Sequence, residues 1–216
     1  MNRARDFAIT GRLWRRQALT DAEIAPFDTL ANSNTGPGTR INPNDAFGPG
    51  SALAQVVTDL FPGFHAVRAM VFAKTETANW GVPWHQDRII PVAARHHIAG
   101  FHNWSEKAGV WHCEPPLAFL NQMFFVRLYL DATDALCGPM EIAFGSHTAG
   151  FVPASACETS ANAHETESYL AARGDLLILH MLTLHCSLPA KSPSSCRTLR
   201  VDFAAEPLPA PLQWAA

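Results

Sequence analysis

Hydrophobic and polar positions divide the chain into a helical front and a strand-rich body. Thr20-Asp21-Ala22-Glu23 has the form of a capping box and predicts a short helix, limited by Pro26. A second short helix is expected over 51–60, before Pro62-Gly63. The stretch 32–50 between them is rich in Asn, Gly, Pro and Thr and predicts a long loop. The period then changes: segments 66–74, 123–131, 175–182 and 196–205 are β-prone or alternate with a period of two, and turn residues bound each. In the second of these, Phe124, Val126, Leu128 and Leu130 share one face, while Phe125, Arg127, Tyr129 and Asp131 share the other. That is the pattern of a strand whose faces meet different surroundings. Apart from a helix expected near 164–172, no helical period alternates with these strands, which disfavours a parallel α/β sheet. The expected architecture is mainly β: an antiparallel barrel or double-sheet jelly roll with short flanking N-terminal helices.

Composition narrows the function classes. The chain has 216 residues, of which 48% are hydrophobic and 16% charged, enough apolar material for one domain with a core. A net charge of −3 offers no electrostatic footprint for nucleic acid or an anionic membrane. No stretch approaches the run of apolar residues that a membrane span needs, and the N-terminus lacks the apolar core of a signal peptide. Cys113, Cys137, Cys157, Cys186 and Cys196 are an odd, scattered set without a C-x-x-C pair. They are read as reduced thiols of a cytoplasmic protein, not as a disulfide framework or zinc site.

Several catalytic signatures are missing. There is no G-x-S-x-G elbow, and Gly36-x-Gly38 and Gly48-x-Gly50 lack a third glycine and a preceding strand. His164-Glu165 has Ser168 where a zincin needs its second histidine. What remains is histidine, ten in all, and above all His85-Gln86-Asp87 within Trp84-His85-Gln86-Asp87-Arg88. If that segment is extended, His85 and Asp87 point to one side, about 6–7 Å apart at the backbone. An imidazole nitrogen and a carboxylate oxygen can then reach a single ion. A third ligand is expected from His185, in the strand-like Leu182-Thr183-Leu184-His185-Cys186-Ser187. Two histidines and a carboxylate on one side of an ion leave coordination sites open, as non-haem iron(II) oxygenases require. His112-Cys113-Glu114 is a rival pair, but Pro115-Pro116 follows it at once and suggests a loop.

Four separated segments occur in a set order: Trp84 to Arg88, Val126 to Asp131, Gly138-Pro139-Met140-Glu141-Ile142-Ala143-Phe144-Gly145-Ser146-His147, and Gly174-Asp175-Leu176-Leu177 through His185-x-Ser187. Together they resemble the phytanoyl-CoA dioxygenase family of 2-oxoglutarate-dependent oxygenases, over roughly residues 66–207. The resemblance implies a double-stranded β-helix, cupin-like in form, with His85, Asp87 and His185 as iron(II) ligands. It implies 2-oxoglutarate and dioxygen as co-substrates, with release of succinate and carbon dioxide. Related halogenases lack the carboxylate, so Asp87 implies a hydroxylase of a small organic molecule. The core is expected at 66–207, after an N-terminal helical and loop extension (1–65) packed on the barrel, and before a C-terminal tail (208–216).

At one point the chain departs from the family. The arginine that pairs with the far carboxylate of 2-oxoglutarate usually stands eleven residues after the distal histidine, and here that position is Cys196. Arg197 is the expected substitute if a bulge in 194–196 rotates it inward, since strict alternation would turn it away. Arg200 shares the Cys196 face but stands about 13 Å further along the strand. Ser187, on the His185 face, and Lys74 are expected to assist. Trp80, Trp84 and Trp111 are candidates to wall an apolar substrate pocket. His147 and His180 are expected to be structural, and Gln86 to point away from the metal side. Two other readings stand beside the enzyme: a cupin-like metal-binding protein that has lost or altered 2-oxoglutarate use, and a binding barrel whose histidines are incidental.

Overall fold

The computed structural model describes residues 3–33, 37–48, 50–191 and 196–215. Thirteen strands are present among them. The large sheet contains β1 (Arg12–Arg15), β2 (Pro37–Ile41), β3 (His65–Lys74), β8 (Met123–Tyr129), β11 (Leu176–His180) and β13 (Cys196–Ala204), in the order β1-β11-β8-β13-β3-β2. The small sheet contains β4 (Val82–His85), β9 (Met140–Ala143), β10 (Thr166–Ser168) and β12 (His185–Ser187), in the order β10-β9-β12-β4. A third sheet, β5 (Ile90–Val92), β7 (Val110–Glu114) and β6 (His102–Lys107), lies at one end. All the strand pairs are antiparallel, giving the expected jelly roll.

Alternation explains how the large sheet serves two surroundings. Val71, Val126, Leu128, Leu199, Val201 and Phe203 face one way and join a core with Ile24, Phe27, Leu53 and Val57. Those four belong to helices α1 (Asp21–Asn32) and α2 (Ala52–Leu60), which cover the outside of the sheet. Phe125, Tyr129, Leu177 and Leu179 face the other way, into the space between the sheets. Each fully buried aliphatic side chain contributes about 1.5–3 kcal/mol relative to exposure, so this two-sided burial fixes the register of β8 and β13.

The helices begin where their caps dictate. Thr20 accepts from the Glu23 N–H while the Glu23 carboxylate accepts from the Thr20 N–H, and Ser51 accepts from the Ala54 N–H. Pro26 does not limit α1, which runs on to Asn32; so near the helix start, proline forfeits one backbone bond without unseating the buried face. The expected loop over 32–50 contains β2 and a short helix, Pro43–Phe47. Local composition concealed them because β2 is an edge strand held by pairing with β3. The extension therefore supplies both edge strands of the large sheet, β1 and β2. The helix expected near 164–172 is instead β10, paired to β9. The tail returns to the third sheet, where the Ala93 N–H donates to the Gln213 carbonyl.

The cysteine expectation is corrected. Cys137 and Cys196 form a disulfide across 59 residues, while Cys113, Cys157 and Cys186 are free and buried. The pair is distant in sequence, and the fold alone brings the start of β13 to the turn before β9. No helix among the described residues is long and apolar enough to cross a membrane.

Candidate active site

His85 ends β4 and His185 begins β12, and the two stand directly opposite each other in the antiparallel pair. Their rings lie 4.3 Å apart, centroid to centroid. Asp87 follows two residues after His85 and is held by its own N–H, which donates to the Met181 carbonyl at 2.9 Å. Its Oδ2 lies 3.3 Å from His185 Nε2 and its Oδ1 lies 3.9 Å from His85 Nε2. One ligand atom from each of the three residues falls within 4.8 Å of the others, the sole such group among the described residues.

Backbone carbonyls fix both imidazoles in the tautomer a metal needs. His85 Nδ1 is 2.8 Å from the Pro83 carbonyl and His185 Nδ1 is 2.9 Å from the Thr183 carbonyl. A carbonyl only accepts, so each Nδ1 carries the proton and each Nε2 presents its lone pair to the centre. Burial, then the neighbouring His185 ring, pushes the His85 pKa down to about 4, which keeps its nitrogen unprotonated at neutral pH. Burial alone would raise the pKa of Asp87, but the Arg200 guanidinium beside it holds its carboxyl well below the usual carboxylate range. Two neutral nitrogens and one carboxylate are donors suited to a divalent first-row metal such as iron(II), and they occupy only one side of it.

The centre opens into a cavity of about 250 Å³ between the two sheets. Its wall on the large sheet is cationic: Arg68, Lys74, Arg127 and Arg200 all line it. Arg200 is held from three sides. Its Nε donates to Asp202 Oδ1 at 2.6 Å, its Nη1 donates to Asp87 Oδ2 at 2.8 Å, and its plane lies 4.0 Å from the Phe125 ring centroid. Arg127 donates from Nε to Thr198 Oγ1 at 3.2 Å. Lys74 donates to the carbonyls of Gly138 and Leu188, at 3.1 and 2.5 Å. Burial, reinforced by the Arg127 charge, lowers its pKa to about 8. The backbone around this lysine tolerates no side chain at Gly138, where φ is +62° and an added Cβ would lie 2.1 Å from the Leu188 oxygen.

The expected residues divide into those that reach this cavity and those that do not. His85, Asp87, His185, Ser187, Lys74 and Trp80 line it. Arg197 does not: it pairs with Asp131 at 2.7 Å and Asp28 at 3.0 Å, on the helix-covered face of the sheet. The register of β13 is unbroken from Cys196 to Asp202, and the irregularity lies at Asp202/Phe203, so nothing rotates Arg197 inward. Trp84 is one residue out of phase with His85 and packs with Ala143, Val152 and Leu184 instead. Trp111 lies opposite Val92 in the third sheet, beneath Arg95. Gln86 is a buried strut, donating to the Gly150 and Leu182 carbonyls and accepting from the Val152 N–H. The rival His112-Cys113-Glu114 lies in a strand, β7; His112 meets Arg40, and Glu114 meets Arg88 and His102.

Sequence reasoning passed over Arg68, Arg127 and Arg200 as parts of the site. The signal was present: Arg68, Met70, Phe72 and Lys74 alternate on β3, and Arg127 shares the Phe125 and Tyr129 face of β8. Arg200 was measured only against the position of Cys196, whereas its partner is Asp87, one of the three converging side chains.

The family model described as phytanoyl-CoA dioxygenase matches residues 20–198, reaching well into the front third of the chain. No curated protein matches. Solved structures with the same fold include EctD from S. alaskensis in its apoform, with a TM-score of 0.69 and 14% identity over 96% of this chain and 78% of that one. They also include the non-haem α-ketoglutarate-dependent epimerase SnoN from nogalamycin biosynthesis, with a TM-score of 0.66 and 14% identity over 94% of this chain and 79% of that one. HygX from Streptomyces hygroscopicus, with nickel and 2-oxoglutarate bound, has a TM-score of 0.59 and 14% identity over 94% and 85%.

Proposed function

The chain belongs to the phytanoyl-CoA dioxygenase family, and from that premise we propose that it is an iron(II)- and 2-oxoglutarate-dependent dioxygenase that hydroxylates a small organic molecule. The observation that carries this reading is the convergence of His85 Nε2, Asp87 and His185 Nε2, with both Nδ1 protons committed to backbone carbonyls. Iron(II) held there would supply dioxygen activation coupled to oxidative decarboxylation of 2-oxoglutarate, with succinate and carbon dioxide as products.

The protein's own groups do the rest. His85 and His185 would hold the iron as neutral ligands with Asp87 as the third, while Arg200 donates to Oδ2 of Asp87. For the far carboxylate of 2-oxoglutarate, Arg127 replaces Arg197 as the anchor, with Lys74 beside it and Ser187 on the opposite wall. No ion pair among the described residues reaches Arg127 or Lys74. A guanidinium buried without a carboxylate is costly, and a bound carboxylate offsets that cost with charge-assisted hydrogen bonds. Phe72, Phe125 and Met140 exclude water around the centre. A fold of this kind also supports epimerisation, as the description of SnoN states; the retained carboxylate of Asp87 favours hydroxylation over halogenation.

The metal-only cupin reading draws on one observation, that the usual arginine position is Cys196, tied into a disulfide. Calorimetry of the Ni(II)-loaded protein with 2-oxoglutarate separates the two readings, because binding that depends on Arg127 supports the oxygenase. Iron content and succinate release should both be lost in Asp87→Ala. Full iron content and succinate release in that variant would refute the centre.

A further inference from the structure

We propose that the substrate is itself an anion, a carboxylate or a group of like charge, and that Arg68 and Arg40 receive it on the side of the metal opposite Arg127. This rests on the oxygenase reading above and names the class of molecule oxidised.

The large sheet places its cations in a row. Arg127 of β8, Arg200 of β13, Met70 of β3 and Arg40 of β2 are successive cross-strand partners. At about 4.8 Å per strand, Arg127 and Arg40 stand roughly 14 Å apart. Arg200, between them, points at Asp87 and so marks the level of the metal. Along β3, Lys74 lies six residues from Arg68, about 20 Å at the backbone. The cationic wall therefore has two ends with the metal between them, and a molecule as short as 2-oxoglutarate, chelating the metal, reaches only one. 2-Oxoglutarate takes the Arg127 and Lys74 end in the reading above, so the other end is left.

Charge at that other end is not balanced internally. Asp202 is the single carboxylate placed there, and it is shared: Oδ2 accepts from Arg68 Nε at 2.6 Å, and Oδ1 accepts from Arg200 Nε at 2.6 Å. The second carboxylate within reach of Arg200 is Asp87, which the metal also claims. Arg40 meets no carboxylate among the described residues. Its partner is His112 Nε2 at 3.3 Å, and His112 Nδ1 faces the Val110 carbonyl at 2.9 Å, so that ring is neutral and accepts from Arg40. Residues outside the description, such as Asn34, Thr35 and Ser192 to Ser195, carry no carboxylate side chain either. Iron(II) would be balanced by Asp87 and the chelating carboxylate of 2-oxoglutarate, and the far carboxylate would meet Arg127, so none of these charges offsets Arg68 or Arg40. An excess of cation persists in the loaded enzyme at Arg68, which lines the cavity, and at Arg40 on the neighbouring strand, and it attracts an anion. Arginine's planar fork then favours a carboxylate or another multi-oxygen anion over a neutral polar group.

The test is isothermal calorimetry on Ni(II)-loaded protein saturated with 2-oxoglutarate, without dioxygen. The probes are straight-chain carboxylic acids of two to twelve carbons, each compared with its primary amide. At least one acid should bind tenfold or more tighter than its amide. That preference should disappear in Arg68→Gln, fall in Arg40→Gln and persist in Arg68→Lys, while 2-oxoglutarate affinity in Arg40→Gln stays within twofold. Equal binding of acids and amides throughout the series in the native protein would overturn the proposal without recourse to any variant, as would a preference untouched by both glutamine variants. Should 2-oxoglutarate fail to bind while the acids still bind through Arg68, the oxygenase reading falls and the anion site stands.

Discussion

Arg200 donates from Nη1 to Oδ2 of Asp87 at 2.8 Å, so one oxygen of this candidate metal ligand is already committed to a buried guanidinium. This leaves Oδ1 toward His85 and orients the carboxylate to bind a metal through one oxygen. In the metal-free protein, Arg200 also supplies the positive charge that stabilises Asp87 against its burial. The guanidinium is in turn fixed by Asp202 and stacked on Phe125.

Removing that guanidinium should therefore weaken two properties at once. Arg200→Met leaves Asp87 and its share of Asp202 without a buried counter-ion, a loss expected to cost about 3 kcal/mol in the metal-free protein. Metal affinity should fall by roughly 10- to 100-fold, as for other groups that orient a ligand. Urea unfolding and metal titration measure the two effects, and Arg200→Lys should recover part of both. A native metal affinity in Arg200→Met would mean that Asp87 needs no external positioning.

The two arginines competing for the co-substrate can be separated by kinetics. Arg127→Gln should raise the 2-oxoglutarate concentration needed for half-maximal succinate formation by roughly 10- to 100-fold, corresponding to loss of about 1.5–3 kcal/mol of charge-assisted bonding. Arg197→Ala should leave it unchanged, because its partners are Asp131, Asp28 and Asn32 on the far face of the sheet. The cost of that variant is stability alone, about 1 kcal/mol for a partly exposed ion pair. An increase in Arg197→Ala with none in Arg127→Gln would reverse the assignment.

Why Arg197 lies outside the cavity while His85, Asp87 and His185 converge is a matter of range. The side of a strand that His85 and Asp87 share follows from a period of two, which local sequence carries, and the facing position of His185 came with the resemblance. Strands 66–74, 123–131 and 196–205 were legible for the same reason, as their alternation is strong and their ends are marked. β2 and β10 were not, because each is an edge strand stabilised by a partner distant in sequence. Arg197 was drawn inward by supposing a bulge, which no local pattern specifies; the real irregularity lies between Asp202 and Phe203. The Cys137–Cys196 bond joins a turn to the start of β13 and the row from Arg127 to Arg40 crosses four strands, so both depend on the tertiary fold.

Co-substrate affinity should fall in mildly alkaline solution. Burial and the Arg127 charge lower the Lys74 pKa to about 8, so its ammonium is present below that pH and is lost above it. A bound carboxylate favours the charged lysine, which places the onset of the decline at pH 8 or somewhat higher. Calorimetric titrations of 2-oxoglutarate between pH 7 and 9.5 should show weakening in the native protein and a flatter profile in Lys74→Met. The same slope in both proteins would exclude Lys74 as the titrating group.

A second pH dependence should appear in stability and leave the metal centre aside. His180 Nδ1 accepts from the Leu182 N–H at 3.1 Å, so the ring proton sits on Nε2, which faces the Asn121 carbonyl at 3.3 Å. Protonation would set a second N–H against the Leu182 N–H, inside a buried site next to His147. Burial, followed by the His147 ring, accordingly lowers the His180 pKa from 6.5 to about 4. The unfolded chain then binds more protons than the folded one between pH 6.5 and 4, so stability must rise with pH across that window. Stability from this group is complete above pH 6.5 and is lost as the pH falls through 4, with a magnitude on the order of 3 kcal/mol. In urea unfolding of the metal-free protein at a series of pH values, His180→Gln should flatten this part of the profile. An unaltered slope between pH 6.5 and 4 in the variant would move the acid sensitivity to other groups.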